Sequence, residues 1–395
     1  MEAARASRPY IGGQTVLEGV MMRAPTSFAV VVRSADGSLL VRERSMQSEA
    51  TGLARLPLLR GVASLVESLR LGREALNFSV EQLERDLEAQ AAAAGPRGDR
   101  APHRPPALMT MALAAAAQFV LALDADGPPG PAPAAKRSGA SAFMMLALPI
   151  AVMVALPQGA AAALNRFLHL GLAVQAPAFQ AMTGAFKLAI VIGLMVTMRR
   201  IPEIRRMFQY HGAEHKTIST YEAGQALTVE NARLKTTLHP RCGTTFIVMV
   251  ALVSIVFFTA LGASLPPIRT GSSLLDNVVF FLVKLPVLPP LVAVTFELQR
   301  LFARYFTRGP LRVLLWPGFA VQRITTAEPD DSQLEVALAS LRATLFRQEA
   351  MRDGGIAEAS HAAAGAKPVP EDVRFPSYQA LLEAPSLRNA SSAGC

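Results

Sequence analysis

Apolar and polar positions change rhythm along this chain, and each change predicts a different element. Phe28–Arg33 and Leu39–Arg44 are short β-rich runs on either side of Asp36-Gly37. That dipeptide predicts a hairpin, because both turn residues need positive φ. From Leu58 the period becomes helical. Leu58, Val62, Leu65, Val66, Leu69, Leu76 and Val80 fall on one stripe, with Arg60, Glu67, Arg70, Arg73 and Glu74 on other faces. The pattern predicts an amphipathic helix, placed either against the hairpin or in a bilayer interface. Residues 1–83 are therefore expected to form a small α+β N-terminal domain. Residues 84–140 turn charged and then Ala/Gly/Pro-rich, a helix tail running into a variable linker with a short apolar segment at 107–123.

Beyond residue 140 the apolar residues gather in blocks. A bilayer crossing needs ~20 mostly apolar residues, and four segments have them. Ser141 to Leu164 is uncharged. Ala178 to Met198 holds only Lys187. Thr244 to Ser264 holds no charge. Leu274 to Phe296 holds Asp276 and Lys284 and is interrupted by Pro286, Pro289 and Pro290. The expectation is a mainly α, polytopic membrane protein, with transmembrane hairpins at 141–198 and 244–298 around a polar segment at 199–243. After Arg312, Trp316-Pro317-Gly318 reads as a turn at the membrane edge. Ser332 and Glu335 read as a capping box opening an amphipathic helix through Leu345. Residues 299–352 are thus a C-terminal helical region, and 353–395 a tail expected to be disordered.

Composition supports this class. The 395 residues are 51% hydrophobic and only 17% charged, against about 25% charged in soluble chains. The net charge of +9 is concentrated beside the apolar blocks. Arg199, Arg200, Arg205 and Arg206 follow one, and Arg300, Arg304, Arg308 and Arg312 follow another. Cytoplasmic flanks carry such an excess. Both termini and the 199–243 segment are therefore expected on the cytoplasmic side of a bacterial inner membrane, with the lipid bilayer as partner. A fifth crossing at 107–123 would carry the Arg-rich N-terminal domain outside, which favours four. Because the basic residues flank apolar segments rather than interleave with aromatics, no nucleic acid is expected as a partner. Cys242 and Cys395 are the two cysteines, too few for a disulfide framework.

The chemistry is concentrated at Tyr210-His211-Gly212-Ala213-Glu214-His215-Lys216. On a helix, positions i and i+4 share a face, so His211 and His215 can reach one ion. Glu214 can act as general base, the inverted-zincin arrangement. Such a site needs a third protein ligand and an open position. His239 or Cys242, in His239-Pro240-Arg241-Cys242, can complete it, as can Glu222. If His211, His215, His239 and Cys242 all bind, the site is closed and structural. The plain alternative is a set of juxtamembrane polar residues. Gly12-Gly13-Gln14, with Glu18-Gly19 and Arg23, reads as a tight turn rather than a phosphate loop, for it lacks the Lys-Ser/Thr partner.

Gly12 to Arg23, Tyr210 to Lys216, His239 to Thr244, Trp316-Pro317-Gly318 and Thr325 to Asp331 with Glu335-Val336-Ala337 together resemble signatures of one family. It is the YqhQ-like domain-of-unknown-function family of bacterial membrane proteins, over about residues 8–346. The resemblance implies a membrane protein labelled a predicted metal-dependent enzyme, a label that itself rests on these His, Glu and Cys residues. The expected function is a metal-dependent hydrolase at the cytoplasmic membrane face. Zn²⁺ or another divalent metal would sit on His211 and His215 with His239 or Cys242, Glu214 would be catalytic, and the substrate would be a membrane-associated peptide or lipid-linked molecule. The alternatives are a membrane scaffold with a structural metal, or a small-solute carrier built on Lys187, Asp276 and Lys284.

Overall fold

In the computed structural model, residues 8–46, 59–94, 150–305, 310–352 and 371–384 are described. The chain opens with β1 (Gly12–Val16), β2 (Gly19–Arg23), β3 (Ser27–Arg33) and β4 (Leu39–Ser45), an antiparallel meander in sequence order. The predicted hairpin joins β3 to β4, with Val31 opposite Val41. Its turn differs from the expected one. The Gly37 amide donates to the Ser34 carbonyl at 2.9 Å, and of the Asp36-Gly37 pair only Gly37 has positive φ, 86°. Asp36 accepts from the Ser38 amide at 3.0 Å instead, an Asx interaction that holds it on the ordinary side of φ. Gly12-Gly13-Gln14 is not a turn but the start of β1. The turn follows at Leu17-Glu18, with Glu18 at φ 52°.

Alternation gives the sheet two apolar faces. Val16, Met21, Phe28, Val30, Val32 and Leu40 form one core with Leu71, Ala75 and Phe78 of α1 (Leu59–Ala94). The amphipathic helix therefore lies on the sheet, the first of its two expected placements.

The apolar segments follow. A π-helical turn (Ala151–Ala155) leads into α2 (Leu156–Phe167), which packs on α3 (Pro177–Met198). Two polar helices, α4 (Pro202–Glu222) and α5 (Val229–Arg233), precede α6 (Gly243–Ser264). Helices α7 (Ser273–Lys284) and α8 (Leu288–Tyr305) are one apolar run interrupted by a 3₁₀ turn at Leu285–Val287. Pro286, Pro289 and Pro290 each lack an amide donor there. Among the described residues, three stretches are long and apolar enough to cross a membrane: Pro177–Met198, Gly243–Ser264 and Ser273–Phe302. The protein is thus mainly helical and membrane-associated, with an N-terminal antiparallel sheet. The 107–123 run and residues 141–149 of the first expected span lie outside the described residues.

Three expectations for the C-terminal part are corrected. Trp316-Pro317-Gly318 opens α9 (Trp316–Thr325) rather than forming a turn, since Pro suits the first helical turn, where its missing amide costs nothing. The capping box of α10 (Asp331–Arg352) is two residues earlier than expected. Asp330 Oδ1 accepts from the Gln333 amide (2.9 Å), and Gln333 Oε1 accepts from the Asp330 amide (3.0 Å). Glu335 is instead paired with Arg33 at 2.7 Å. The tail holds β5 (Glu371–Phe375) and α11 (Tyr378–Glu383), although 353–395 was expected to be disordered. Strand β5 hydrogen-bonds to β4, whose edge would otherwise leave its amides and carbonyls unpaired. Helix α10 covers the second face of the sheet. Leu334, Leu338, Leu341 and Leu345 share a core with Val20, Met22, Val31 and Val41, and with Tyr210 and Ala213 of α4.

Candidate functional site

Helix α4 carries few apolar residues, yet Tyr210 and Gly212 through Ile218 are buried. A buried polar stretch requires partners. The Tyr210 hydroxyl donates to Glu18 Oε2 (3.2 Å), while Arg206 holds Glu18 Oε1 at 2.5 Å. Lys216 donates to the Arg233 carbonyl (2.9 Å) and pairs with Glu328. Gly212 lets the chain after α9 cross α4 closely. A Cβ there would run into the backbone carbonyl of Ala327, while the Ala327 amide donates to the Phe208 carbonyl at 2.9 Å.

His211 and His215 lie one turn apart, with ring centroids separated by 4.4 Å. His211 Nδ1 is 2.9 Å from the Thr325 carbonyl, and His215 Nδ1 is 2.5 Å from the Thr237 carbonyl. A carbonyl can only accept, so both rings must carry hydrogen on Nδ1. This second layer orients metal-binding imidazoles and leaves Nε2 for a ligand. His211 Nε2 is 3.2 Å from Cys242 Sγ. The ligand atoms of His211, His215 and Cys242 all lie within 4.8 Å of one another. Cys242 occupies the N-cap position of α6, where the helix terminus also favours a thiolate. Burial works against charge on His211, but the adjacent Cys242 raises its pKa to about 9. Burial likewise pushes the Cys242 thiol up, and the charges of His211 and His215 overcome this and hold it well below the usual thiol range.

Glu214 is buried beside this trio. Thr15 Oγ1 donates to its Oε2 at 3.3 Å, and a Cβ added to Gly13 would sit 2.5 Å from its Oε1. Burial raises its pKa, with His211 and His215 pulling against that and Cys242 adding to it. Strand β1 therefore runs across the site, so the Gly12-Gly13-Gln14 motif belongs to the site rather than to a turn. Thr237 and Thr325 act through backbone carbonyls, which no residue type marks, and Thr15 reaches Glu214 from 199 positions away. Glycine inside an otherwise helical stretch, at Gly212, was the one local sign of a close crossing.

His239 does not join the trio. Its ring centroid is 5.7 Å from that of His215, but both of its nitrogens face other partners. Nδ1 accepts from the Arg241 amide (3.4 Å), so Nε2–H faces Glu222 Oε2 at 3.4 Å. Gln322 fixes its backbone, accepting from the His239 amide (2.8 Å) and donating to its carbonyl (2.7 Å). Glu222 binds Arg241 as well, at 2.8 Å. Burial opposes ionisation of Glu222, but His239 and Arg241 hold its pKa below the usual carboxylate value. Glu222 is thus a partner of His239, outside the ligand trio.

Residues 56–347 match a family model described as protein of unknown function (DUF1385). Over 353 residues the chain is 28% identical to "Uncharacterized protein YqhQ" of Bacillus subtilis (strain 168), covering 87% of this chain and 95% of that protein. No solved structure matches.

Proposed function

The chain belongs to the DUF1385 family, and we propose that it is a metal-dependent hydrolase acting at the membrane surface. One observation carries the reading: the ligand atoms of His211, His215 and Cys242 converge within 4.8 Å beside the buried carboxyl group of Glu214. The donor set fits a divalent ion. Two imidazoles fixed through Nδ1 and one thiolate match zinc in softness, and three protein ligands suit a catalytic site better than a closed one. A zinc ion held by these residues would supply Lewis acidity toward a carbonyl or phosphoryl oxygen.

Glu214 handles the proton. Its Oε atoms lie under β1, where poor solvation raises its proton affinity toward the working pH. Glu214 takes a proton from the attacking water as the new O–C or O–P bond forms. It returns the proton to the leaving group as the old bond breaks. Thr15 steadies the carboxylate between the two transfers. The trio sits at the N-terminal end of the apolar helix α6, which favours a membrane-associated peptide or a lipid-linked substrate.

We read the topology as four crossings with both termini cytoplasmic. Strand β5 pairs with β4, so the chain before and after the apolar helices lies on one side, which requires an even number of crossings. Helices α3 and α6 and the α7–α8 run give three. The helical stretch from the π turn through α2, packed along α3, gives the fourth. Arg199, Arg200, Arg205 and Arg206 assign the common side to the cytoplasm.

The full-length protein, purified in detergent, should carry about one equivalent of divalent metal by elemental analysis. His211→Ala plus His215→Ala should abolish it. Metal content unchanged by that double substitution would sink the proposal. A second reading, a non-enzymatic scaffold with a structural metal, draws on the closeness of His239 to His215. Glu214→Gln separates the two. In a hydrolase it should keep the metal and lose on the order of 10²–10⁴ in rate. In a scaffold it should complement a deletion strain normally.

A further inference from the structure

The helix bundle buries two lysines that the proposed hydrolysis does not use. Lys187 lies midway along α3 and is 8% exposed; Lys284 ends α7 and is 1% exposed. A cation inside a membrane bundle is costly, and its presence usually marks a site. Among the described residues, no carboxylate lies within ion-pair distance of either lysine. Asp276, which shares α7 with Lys284, is committed elsewhere. It accepts from the Thr270 amide (2.8 Å) and hydroxyl (2.9 Å) at the start of α7.

Each lysine has one neutral oxygen partner. Lys187 Nζ donates to Ser254 Oγ at 2.8 Å, and Lys284 Nζ donates to Gln158 Oε1 at 2.8 Å. Both nitrogens stand by the same aromatic ring, 5.5 and 5.0 Å from the centroid of Phe258. Lys284 is also 4.7 Å from that of Phe280. An ammonium group has three donors, and a ring face offsets only part of its charge. The pair therefore brings two basic amines and several spare donors together in an apolar core.

The backbone around them is irregular in two places. The 3₁₀ turn Leu285–Val287 follows Lys284 directly, and the π-helical turn Ala151–Ala155 ends just before Gln158. Interrupted helices and π turns recur where membrane bundles open polar sites. These irregularities are on different helices, yet both adjoin the lysine pair.

The geometry points to a binding site for a small oxyanion, a carboxylate or a phosphate, held between Lys187 and Lys284 in the core of the bundle. Either anion accepts charge-assisted hydrogen bonds from both ammonium groups and removes their repulsion. Ser254 and Gln158, each already bonded to one lysine, set the direction of the remaining donors. Lys187 and Ser254 both lie near the middle of 22-residue helices. That depth suits a free anion, because a phospholipid headgroup stays at the bilayer surface. The site is distinct from the His/Cys trio at the end of α6.

The test is equilibrium binding of inorganic phosphate and of acetate to the full-length protein in detergent. Saturable binding of at least one anion is expected. It should weaken at least tenfold in Lys187→Met and in Lys284→Met, and survive in His211→Ala plus His215→Ala. Thermal melting checks that the variants are folded. If the Met variants do not fold, Ser254→Ala and Gln158→Leu, which keep both lysines, should weaken binding severalfold. Absence of saturable binding by either anion overturns the proposal, as does binding that these substitutions leave unchanged. A tightly held phospholipid at the lysines that neither anion displaces overturns it too.

Discussion

Gly13 has no side chain, and the carboxyl group of Glu214 occupies the space where one would be. Gly13→Ala should therefore displace Glu214 and cost about 1–3 kcal/mol by overpacking. Denaturant melts would measure the loss, and metal content should be unchanged because the three ligands are untouched. Glu222 makes a different prediction. His239 and Arg241 lower its folded pKa, so its stabilising effect is full above the unfolded value near 4.5 and is lost as pH falls through the lower, folded value. The wild-type thermal midpoint should drop over that acid range, and Glu222→Gln should flatten the drop. Because Glu222 is about one-third exposed, Glu222→Gln should cost only about 1 kcal/mol at pH 7. A profile identical in the two proteins would contradict the assignment. At this scale the sequence was informative where spacing carries the geometry. His211, Glu214 and His215 share a helix, so their meeting was legible. Cys242 was one of three candidates for the third ligand. His239 was another, and only its partners reveal why it is turned away. Glu222 of α4, Arg241 of its own loop and Gln322 of α9 surround it.

Helix α10, expected to be amphipathic, has no exposed face from Val336 to Leu345, because the sheet, α4, α5 and α11 enclose it. Leu338→Ala there should cost about 2–5 kcal/mol, read from the shift in urea midpoint. That enclosure also explains why the helix was legible while its surroundings were not. Periodicity marks one buried stripe and cannot reveal that other elements bury the remaining sides. Strand β5 escaped notice for a related reason. Glu371–Phe375 is largely charged, and edge strands are often so. Its residues answer mainly to β4, and Phe375 at its end packs against the apolar core. Arg42 binds Asp372 through two contacts, at 2.6 and 2.8 Å, and Leu381 of α11 is fully buried beyond it. Ending the chain at residue 370 should lower the thermal midpoint and promote self-association through the bared edge of β4. Light scattering on heating would record the second effect.

For the whole molecule, the proposed four-crossing topology predicts that reporters fused at either terminus give the same cytoplasmic signal, while one inserted at Gly271, between α6 and α7, gives the opposite. Opposite signals from the two termini would break the pairing of β5 with β4 as a guide to sidedness. The blocks of apolar residues made the membrane class legible, and the Pro-interrupted run was legible from its prolines. How the blocks join the sheet was not, because those contacts bridge the chain from end to end. That bridging imposes an order of events during synthesis. Arg42 and its partner Asp372 are 330 positions apart, so at roughly 5–20 residues per second the edge of β4 waits tens of seconds for its neighbour. The apolar face that α10 covers waits almost as long. The first domain to leave the ribosome is therefore among the last to be completed, after every apolar helix between its two parts has been made.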